Sequence, residues 1–250
     1  MASENVVILG ATSGIARALC LVMAERGCRL IVAGRNEEEL DRIASDLRVR
    51  TGADAFVEKF DALDFDDHVP FLARCGERFG GAIDGVVLCY GYMTDQEKTE
   101  QDFEAARRTI DVNFTSAISI LGAVANDMEA RGAGYIAAIG SVAGDRGRQS
   151  NYTYGASKAG LSAFLGGLRN RLCKSGVHVL EVRPGFVDTP MTHGLLDPNS
   201  PLVASPERVA AAIDAAIRAK RDVIYAPWFW RGIMKTIRSI PESVFKRLKL

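Results

Sequence analysis

The stretch Val7-Ile8-Leu9-Gly10-Ala11-Thr12-Ser13-Gly14-Ile15-Ala16 decides the fold. An apolar run of strand length leads into a turn with a glycine at each end, and a helical pattern then continues to residue 26. Glycines at these two places let the backbone approach a pyrophosphate, which the N-terminus of the helix then holds. Such a turn alone is weak evidence, but after the first strand of an α/β chain it predicts a nucleotide site much more strongly.

Apolar runs of strand length alternate with helical patterns through the rest of the chain. The predicted strands are 6–9, 30–33, 55–60, 83–89, 135–139, 177–182 and 223–225, and the predicted helices are 15–26, 37–49, 66–79, 101–131, 152–175 and 206–218. Strands that are apolar throughout and are not joined by hairpin turns indicate a parallel sheet covered on both faces. We therefore predict an α/β fold, a single Rossmann-type doubly wound parallel sheet of about seven strands with helices on both faces.

Composition places the chain among soluble globular proteins. Its 250 residues include 31 Lys+Arg and 31 Asp+Glu, a formal net charge of 0, with 48% hydrophobic residues. Nothing in this balance points to nucleic acid. With no linker, we expect one domain over 1–226 with 227–250 as its C-terminal tail. The first strand leaves no room for a signal peptide, and no apolar run approaches the ~20 residues of a membrane span, so we expect a cytoplasmic protein.

The cysteines and histidines show no pattern of metal ligands. The cysteines are Cys20, Cys28, Cys75, Cys89 and Cys173, and the histidines are His68, His178 and His193. Scattered cysteines of odd number, without a Cys-x-x-Cys pair, are typical of reduced thiols. We therefore predict no metal site, and we give no histidine a catalytic role.

The stretch Tyr154-Gly155-Ala156-Ser157-Lys158 is where we place the chemistry. Residues 154 and 158 are four apart, so both side chains project from one face of a helix. A free tyrosine has a pKa of about 10. An ammonium one turn away favours the phenolate, so we expect Lys158 to lower the pKa of Tyr154 toward the working range. The alternative is a chance pair on a solvated helix face, and the surrounding motifs decide between the two.

Two further stretches bear on the cofactor. Ala33-Gly34-Arg35 ends the second predicted strand without the acid that NAD-binding domains place on the ribose 2′-hydroxyl. Arginine there can meet a 2′-phosphate, so we predict a preference for NADP(H), with NAD as the other candidate. The alternative is that Arg35 only stacks on adenine. After the third strand, Asp61-Ala62 stands where an adenine rim would lie, and its alternative is an ordinary helix-capping aspartate.

Several motifs together resemble those of the short-chain dehydrogenase/reductases. They are Gly10-x-x-x-Gly14, Asn113, Ser141, Tyr154 with Lys158, and Pro184-Gly185, in the family's order over residues 5–226. The resemblance implies an NAD(P)H-dependent oxidoreductase that reduces a ketone to a secondary alcohol. It also implies a cofactor site made of Gly10, Thr12, Ser13, Gly14, Ile15, Arg35, Asp61, Ala62, Gly91, Tyr154, Lys158, Pro184, Gly185, Val187 and Thr189.

The same resemblance implies a role for each catalytic residue. Tyr154 would give its proton to a carbonyl oxygen, while Lys158 would lower the pKa of Tyr154 and hold the nicotinamide ribose. Ser141 would hydrogen-bond the substrate oxygen. Asn113 would position a water that relays protons to Lys158, and its alternative is a polar residue that eases a helix bend. The segment 184–189 would hold the nicotinamide amide.

Three positions depart from the family pattern. Ala16 replaces the third glycine of the nucleotide turn, and Gly140 replaces a serine before Ser141. Leu88-Cys89-Tyr90-Gly91 replaces the usual Asn-Asn-Ala-Gly after the fourth strand, so an asparagine that normally braces the sheet is lost. None of these changes removes a catalytic group.

A narrower resemblance concerns the substrate. Segments 60–64, 151–154, 225–227 and 240–245 resemble those of the decaprenylphosphoryl-2-keto-ribose reductases, which implies a 2-keto sugar on a lipid phosphate. Gly34-Arg35 is not typical of that group. The alternatives are a reductase of a steroid, acyl or other apolar ketone, and a nucleotide-binding protein without catalysis. Related enzymes pair through their long helices, which implies a homodimer or homotetramer.

The tail 228–250 is basic and amphipathic, with a charge of +5. Its apolar residues recur at helical spacing, as Trp230, Ile233, Met234 and Ile237. One hypothesis places this tail in the interface of an anionic membrane. The other packs it on the protein's own core or on a partner subunit. The apolar loop of Met191, Leu195 and Leu196 is either the lining for a lipid chain or a plain hydrophobic flap.

Overall fold

A computed structural model gives the structure of residues 3–189 and 200–248. Its strands are β1 (Asn5–Leu9), β2 (Arg29–Gly34), β3 (Ala55–Lys59), β4 (Gly85–Leu88), β5 (Gly134–Ile139), β6 (Val177–Pro184), β7 (Phe186–Val187), β8 (Val203–Ala204) and β9 (Val223–Ala226). Seven of them form one sheet in the order β3-β2-β1-β4-β5-β6-β9, and each pair is parallel. The predicted doubly wound α/β sheet is therefore confirmed. The short strands β7 and β8, which the sequence did not predict, pair separately.

Helices cover both faces of this sheet. They are α1 (Gly14–Glu25), α2 (Glu37–Thr51), α3 (His68–Phe79), α4 (Gln96–Gln101), α5 (Phe103–Ile110), α6 (Ser116–Arg131), α7 (Tyr152–Leu172), α8 (Pro206–Arg218), α9 (Trp230–Ser239) and α10 (Glu242–Phe245). Alternate residues of one strand face opposite layers: Val6 and Ile8 of β1 pack with α1 and α8, whereas Val7 and Leu9 pack with α3, α6 and α7. This two-sided burial explains why the strands are apolar throughout.

The helix predicted over 101–131 is confirmed from residue 103 onward, and its start is corrected by two residues. Asp102 has an extended backbone, and its carboxylate accepts a hydrogen bond from the Glu104 backbone N–H at 2.9 Å, so it ends α4 and begins α5. An aspartate side chain competes in this way for backbone groups that a continuous helix needs. The helical backbone then continues through Asp111–Thr115, which forms a π-helical turn between α5 and α6. This turn carries Asn113, and turns of this kind are frequent at functional sites.

The tail packs on the body of the protein. Trp230 and Met234 of α9 are buried in a cluster with Val142, and the partly buried Ile233 and Ile237 extend the same contact. The apolar face that the sequence predicted is therefore turned inward in the described residues. Among these residues, no helix combines the length and the apolar character that a membrane span requires.

One arginine fixes the end of this tail. The Arg146 guanidinium donates hydrogen bonds to the carbonyls of Ile237 and Ile240, each at 2.7 Å, and pairs with the Glu242 carboxylate at 2.8 Å. It also lies 3.6 Å from the centre of the Phe245 ring. These contacts satisfy carbonyls that the end of α9 leaves free, so the tail and the loop after β5 hold each other in place.

Candidate active site

The turn between β1 and α1 has the geometry of a nucleotide cradle. Gly10 has a φ of +79°, and a Cβ there would come within 2.7 Å of the Tyr90 backbone, so only glycine fits. Ser13 caps α1, because its hydroxyl accepts a hydrogen bond from the Ala16 backbone N–H at 3.3 Å. Gly14 begins the helix. The open backbone and the helix N-terminus lie together, as binding of a pyrophosphate requires.

The predicted adenine side of the cradle is accessible. Arg35, directly after β2, is exposed and forms no ion pair or hydrogen bond within residues 3–189 and 200–248. Thr12 is also exposed, and Ile15 and Ala62 are partly buried. The Asp61 carboxylate accepts a hydrogen bond from the Leu63 backbone N–H at 3.0 Å, so it closes a turn and caps no helix.

Tyr154 and Lys158 lie on one face of α7, with the Lys158 ammonium 5.9 Å from the centre of the Tyr154 ring. The expectation that the pKa of Tyr154 is lowered is wrong for this state of the protein. Burial raises the pKa of Tyr154 to about 12, and the contact with the Ser141 hydroxyl offsets only part of that effect. Tyr154 is therefore a neutral phenol near pH 7.

Lys158 is the buried cation of the site. It is 3% exposed, and its ammonium donates a hydrogen bond to the Ile139 carbonyl at 2.9 Å. Burial lowers the pKa of Lys158 to about 8, and the carboxylate of Glu181 acts in the opposite direction. Lys158 is therefore mostly charged near pH 7, but it loses that charge at a much lower pH than an exposed lysine does.

Ser141 follows β5 and reaches the same face. Its hydroxyl accepts a hydrogen bond from the Ala143 backbone N–H at 3.1 Å, which fixes the turn that begins there. The neighbouring Gly140 has a structural reason: a Cβ there would lie 3.1 Å from the Val182 carbonyl and 3.3 Å from the Glu181 carboxylate. Gly140, which replaces the family's serine, therefore leaves room for the buried carboxylate of Glu181.

Asn113 is 1% exposed, and its amide is fully engaged. Its oxygen accepts a hydrogen bond from the Tyr92 N–H at 2.7 Å, and its nitrogen donates to the Tyr92 carbonyl at 2.8 Å and to the Ser157 hydroxyl at 3.0 Å. Ser157 in turn donates to the Tyr154 carbonyl at 2.7 Å. The side chain thus holds the loop after β4 against α7. A role in placing a water stays a prediction.

The loop after β4 has a brace of its own. The Tyr90 hydroxyl hydrogen-bonds to the Ser116 hydroxyl at 2.8 Å, and the ring packs 5.7 Å from that of Phe60. This partly buried tyrosine links the loop after β4 to α6. Gly91, the next residue, packs closely against the site: a Cβ there would lie 3.4 Å from the Asn113 amide oxygen and 3.5 Å from the Lys158 ammonium.

The segment after β6 lies against the nucleotide turn. A Cβ on Gly14 would be 3.4 Å from the Thr189 methyl, so Thr189 reaches the start of α1. Val187 is buried, and the Gly185 N–H donates to the Ala226 carbonyl at 3.1 Å. A Cβ on Gly185 would overlap the indole of Trp230. Pro184 and Gly185 are therefore held between β9 and α9. The predicted lid residues Met191, Leu195 and Leu196 lie outside the described residues.

Two charged residues with buried side-chain atoms were not predicted from the sequence. Glu181 is a buried carboxylate that pairs with Arg183 at 2.8 Å and accepts a hydrogen bond from Ser162. Its position within the otherwise apolar predicted strand 177–182 was the feature of the sequence that could have identified Glu181. Arg148 lies between Ser141 and Tyr154 in sequence, and its buried Nε has no hydrogen-bond partner in the described part of the chain. Burial lowers the pKa of Arg148, and the charge of Asp145 acts in the opposite direction.

The residues present fit a nicotinamide dinucleotide. The cradle of Gly10 and Gly14 leaves backbone room for a pyrophosphate, and Arg35 offers an uncompensated cation where the adenosine ribose would lie. A proton donor, Tyr154, and a buried cation, Lys158, stand together on α7. The arrangement can deliver a proton to an oxygen atom and stabilise the charge that remains on the phenol. None of the described residues forms a cluster of metal ligands.

Comparison with protein families gives one match over most of the chain. The model described as "short chain dehydrogenase" matches residues 4–199. An uncharacterized oxidoreductase of Mycobacterium tuberculosis is 35% identical over 243 residues, which cover 97% of this chain and 96% of that protein. An uncharacterized oxidoreductase of Streptomyces coelicolor is 34% identical over 252 residues, with coverage of 98% and 96%.

Solved structures agree with this match. A short-chain dehydrogenase from Sphingobium yanoikuyae in complex with NADPH has a TM-score of 0.81 and 25% identity, and the match covers 96% of this chain and 97% of that one. An actinorhodin polyketide ketoreductase with NADPH has a TM-score of 0.80 and 25% identity, with coverage of 90% and 97%. Both structures contain NADPH.

Proposed function

The chain belongs to the short-chain dehydrogenase/reductase family, and from this premise we propose that it reduces a ketone to a secondary alcohol with NADPH. As a member of the family it is an NAD(P)-dependent oxidoreductase. The observation that carries the proposal is the neutral, partly buried Tyr154 beside the buried cation Lys158, with the Ser141 hydroxyl in reach of the phenol. This set provides a proton donor and a means to stabilise the phenolate that it leaves.

The chain's own residues carry the proton chemistry. A bound NADPH supplies the hydride to the carbonyl carbon. Tyr154 donates its phenolic proton to the carbonyl oxygen, and Ser141 holds that oxygen by a hydrogen bond. The phenolate left behind lies beside the Lys158 ammonium, and their attraction is strong because the site is shielded from water. A proton from solvent must then restore the phenol.

The preference for NADPH rests on Arg35. A guanidinium forms charge-assisted, paired hydrogen bonds with phosphate oxygens, and that of Arg35 is exposed and unpaired within the described chain. Within the described residues no carboxylate pairs with Arg35, whereas Arg17 of α1 already pairs with Glu39 at 2.6 Å. The cofactor of two similar structures, NADPH, supports the same choice.

For the substrate we propose a 2-keto sugar linked to a lipid phosphate. The supporting observation is Arg148, whose buried Nε lacks a partner in the described chain and whose segment joins Ser141 to Tyr154. The buried Asn151 amide oxygen and Trp230 indole N–H also lack hydrogen-bond partners there. Buried groups of this kind are costly unless a ligand satisfies them. A phosphate and sugar hydroxyls have the matching chemistry.

The second candidate is an acyl or other apolar ketone. Phe186 and the buried Trp230 make an edge-to-face contact with ring centres 5.0 Å apart, and the partly buried Phe186 offers apolar surface next to Gly185. The similarity to a polyketide ketoreductase supports this alternative. Purified protein with NADPH should be assayed on a polyprenyl-phosphate 2-keto sugar and on a β-ketoacyl thioester. If only the thioester is reduced, the apolar ketone replaces the keto sugar as the proposed substrate. If neither compound is reduced, both proposals are contradicted.

Assembly and location complete the proposal. We expect a homodimer or homotetramer that pairs through α6 and α7, a surface on which Ile118 is exposed. We also expect a cytoplasmic protein whose segment 228–250 contacts the inner face of the membrane. Sedimentation of the purified protein measures the first expectation, and fractionation of cells measures the second.

A further inference from the structure

A basic groove runs along the outer edge of the main sheet, between α8, β9 and α9. Its volume is about 1200 Å³. Seven cations line it. Besides Arg183, the six that define the groove are Arg208, Lys220, Arg221, Arg231, Lys235 and Arg238. Neither Tyr154 nor Lys158 belongs to its lining, so the groove is separate from the proposed catalytic centre.

The charges of this groove are not compensated by the protein. All six cations are exposed, and within the described residues none of them lies within 4.0 Å of a carboxylate. Asp222 is the acid in the lining, and it pairs with Arg169 at 3.7 Å. Arg183, which also lines the groove, is neutralised by Glu181 and Asp145. Six like charges have therefore gathered on one surface of a chain whose formal net charge is 0.

Such a concentration of positive charge attracts an anionic partner and is otherwise unfavourable, because like charges repel. An exposed tryptophan indicates which partner. Trp228 lines the groove, and 77% of it is exposed, whereas Trp230 two residues later is 4% exposed. Tryptophan is enriched at the headgroup level of membranes, where its ring has both apolar and polar surroundings.

We infer that the basic groove and Trp228 form a docking surface for a bilayer of anionic phospholipids. The contact is peripheral and electrostatic, because the apolar face of α9 is already packed on Val142. It extends the expected membrane contact of the tail to residues of α8 and β9. It does not depend on the identity of the ketone. Each basic residue near such a surface strengthens binding by roughly fivefold, so six of them are enough for stable but salt-sensitive attachment.

Flotation with vesicles tests this inference. The full chain should float with vesicles of phosphatidylglycerol and phosphatidylcholine, remain unbound with phosphatidylcholine alone, and be released by 0.5 M salt. The triple variant Arg231→Glu/Lys235→Glu/Arg238→Glu should lose roughly 100-fold or more in partition coefficient. A matched control, Arg48→Glu/Lys98→Glu/Lys174→Glu, changes the net charge equally at exposed positions outside the groove and should still float.

Tryptophan fluorescence provides a second readout, because the chain has only Trp228 and Trp230. Anionic vesicles should shift the emission of the exposed Trp228 to shorter wavelength, and Trp228→Phe should abolish that shift while Trp230 continues to report the folded tail. Free glycerol phosphate at the same phosphate concentration should cause no shift. A shift of the Trp228 emission with glycerol phosphate alone would mean that the groove binds a soluble phosphate, and it would overturn the proposal of a bilayer.

Other results would also overturn the inference. Equal flotation of the wild type and the groove variant would do so, as would tighter binding to a single-stranded oligonucleotide than to anionic vesicles. A smaller oligomer for the groove variant in sedimentation would make the groove an interface between copies of this chain. Cofactor binding by the groove variant should be unchanged, which separates loss of docking from loss of fold or of the proposed function.

Discussion

The Asn113 side chain hydrogen-bonds both backbone groups of Tyr92, with its oxygen 2.7 Å from the Tyr92 nitrogen and its nitrogen 2.8 Å from the Tyr92 oxygen. Asn113 and Tyr92 are 21 residues apart in sequence. The π-helical turn at Asp111–Thr115 brings the amide to this position, and Ser157 continues the contact to α7. The asparagine therefore joins three elements around the catalytic residues.

Asn113→Ala should destabilise the protein by about 3 kcal/mol, because three hydrogen bonds are lost and buried backbone groups of Tyr92 are left without a partner. Denaturant unfolding measures this change. Ser157→Ala is the matched control: it removes one of the three bonds together with the Ser157 bond to the Tyr154 carbonyl, keeps the contact with Tyr92 and should cost about 1–2 kcal/mol. Equal losses in the two variants would contradict the bracing role.

Tyr154→Phe should reduce kcat by about 1000-fold or more, since the variant keeps the ring and lacks the proton that the carbonyl oxygen receives. NADPH affinity, measured by fluorescence titration, should change by less than threefold. Tyr152→Phe removes an exposed hydroxyl from the same helix and should retain activity. Near-normal turnover by Tyr154→Phe would rule out its role as proton donor.

The rate of reduction should be constant at low pH and fall about tenfold per pH unit above about 8. Below that value Tyr154 is a phenol and Lys158 is charged, whereas above it the ammonium that stabilises the phenolate is lost. Profiles of kcat against pH measure this effect. Glu181→Gln should move the alkaline limb to lower pH, because the Glu181 carboxylate raises the pKa of Lys158. If the alkaline limb of the Glu181→Gln profile does not move, that limb belongs to the ionisation of a group other than Lys158.

When Lys158 loses its proton, the free energy of unfolding should rise, whereas the rate of reduction falls. Because burial lowers the pKa of Lys158 from 10.5 to about 8, the unfolded chain holds a proton there that the folded chain has lost between these two values. The contribution of Lys158 to the free energy of unfolding therefore rises with pH across this window. Denaturation midpoints at pH 8 and pH 10 measure this effect: between these values the midpoint of the wild type should rise relative to that of Lys158→Met.

Arg35→Ala should weaken NADPH binding by roughly 10-fold to 100-fold and leave NADH binding nearly unchanged, since only NADPH carries the 2′-phosphate. Dissociation constants for both cofactors measure the difference. Arg42→Ala is the control, because Arg42 is an exposed arginine that already pairs with Glu38 and Glu39. Equal losses for the two cofactors would indicate that Arg35 only stacks on adenine.

Trp230→Ala should lower the free energy of unfolding by about 3 kcal/mol or more, because the buried indole fills the space between Gly185 and Val142. Trp228→Ala, at an exposed position of the same segment, should change it by less than about 0.5 kcal/mol. Thermal and denaturant unfolding compare the two. A negligible loss for Trp230→Ala would mean that the tail does not pack on the body in solution.

Local sequence patterns were sufficient for the architecture. Alternate residues of β1 face opposite layers, so both must be apolar, and that requirement is visible in the printed sequence. The turn from Gly10 to Gly14 and the spacing of Tyr154 and Lys158 likewise depend on neighbours a few residues away. The helical pattern at 101–131 did not reveal that the helix begins after Asp102, or that Asp111–Thr115 forms a π-helical turn within it.

The sequence by itself determined the parallel sheet, the nucleotide turn and the pairing of Tyr154 with Lys158 on one helix face. Tertiary structure alone decided the raised pKa of Tyr154, the lowered pKa of Lys158 and the direction in which the apolar face of α9 packs. The physical reason is distance along the chain. Helix and strand periodicity are set by adjacent residues, whereas desolvation and charge interactions are set by groups, such as Glu181 and the Ile139 carbonyl around Lys158, that only the fold brings together.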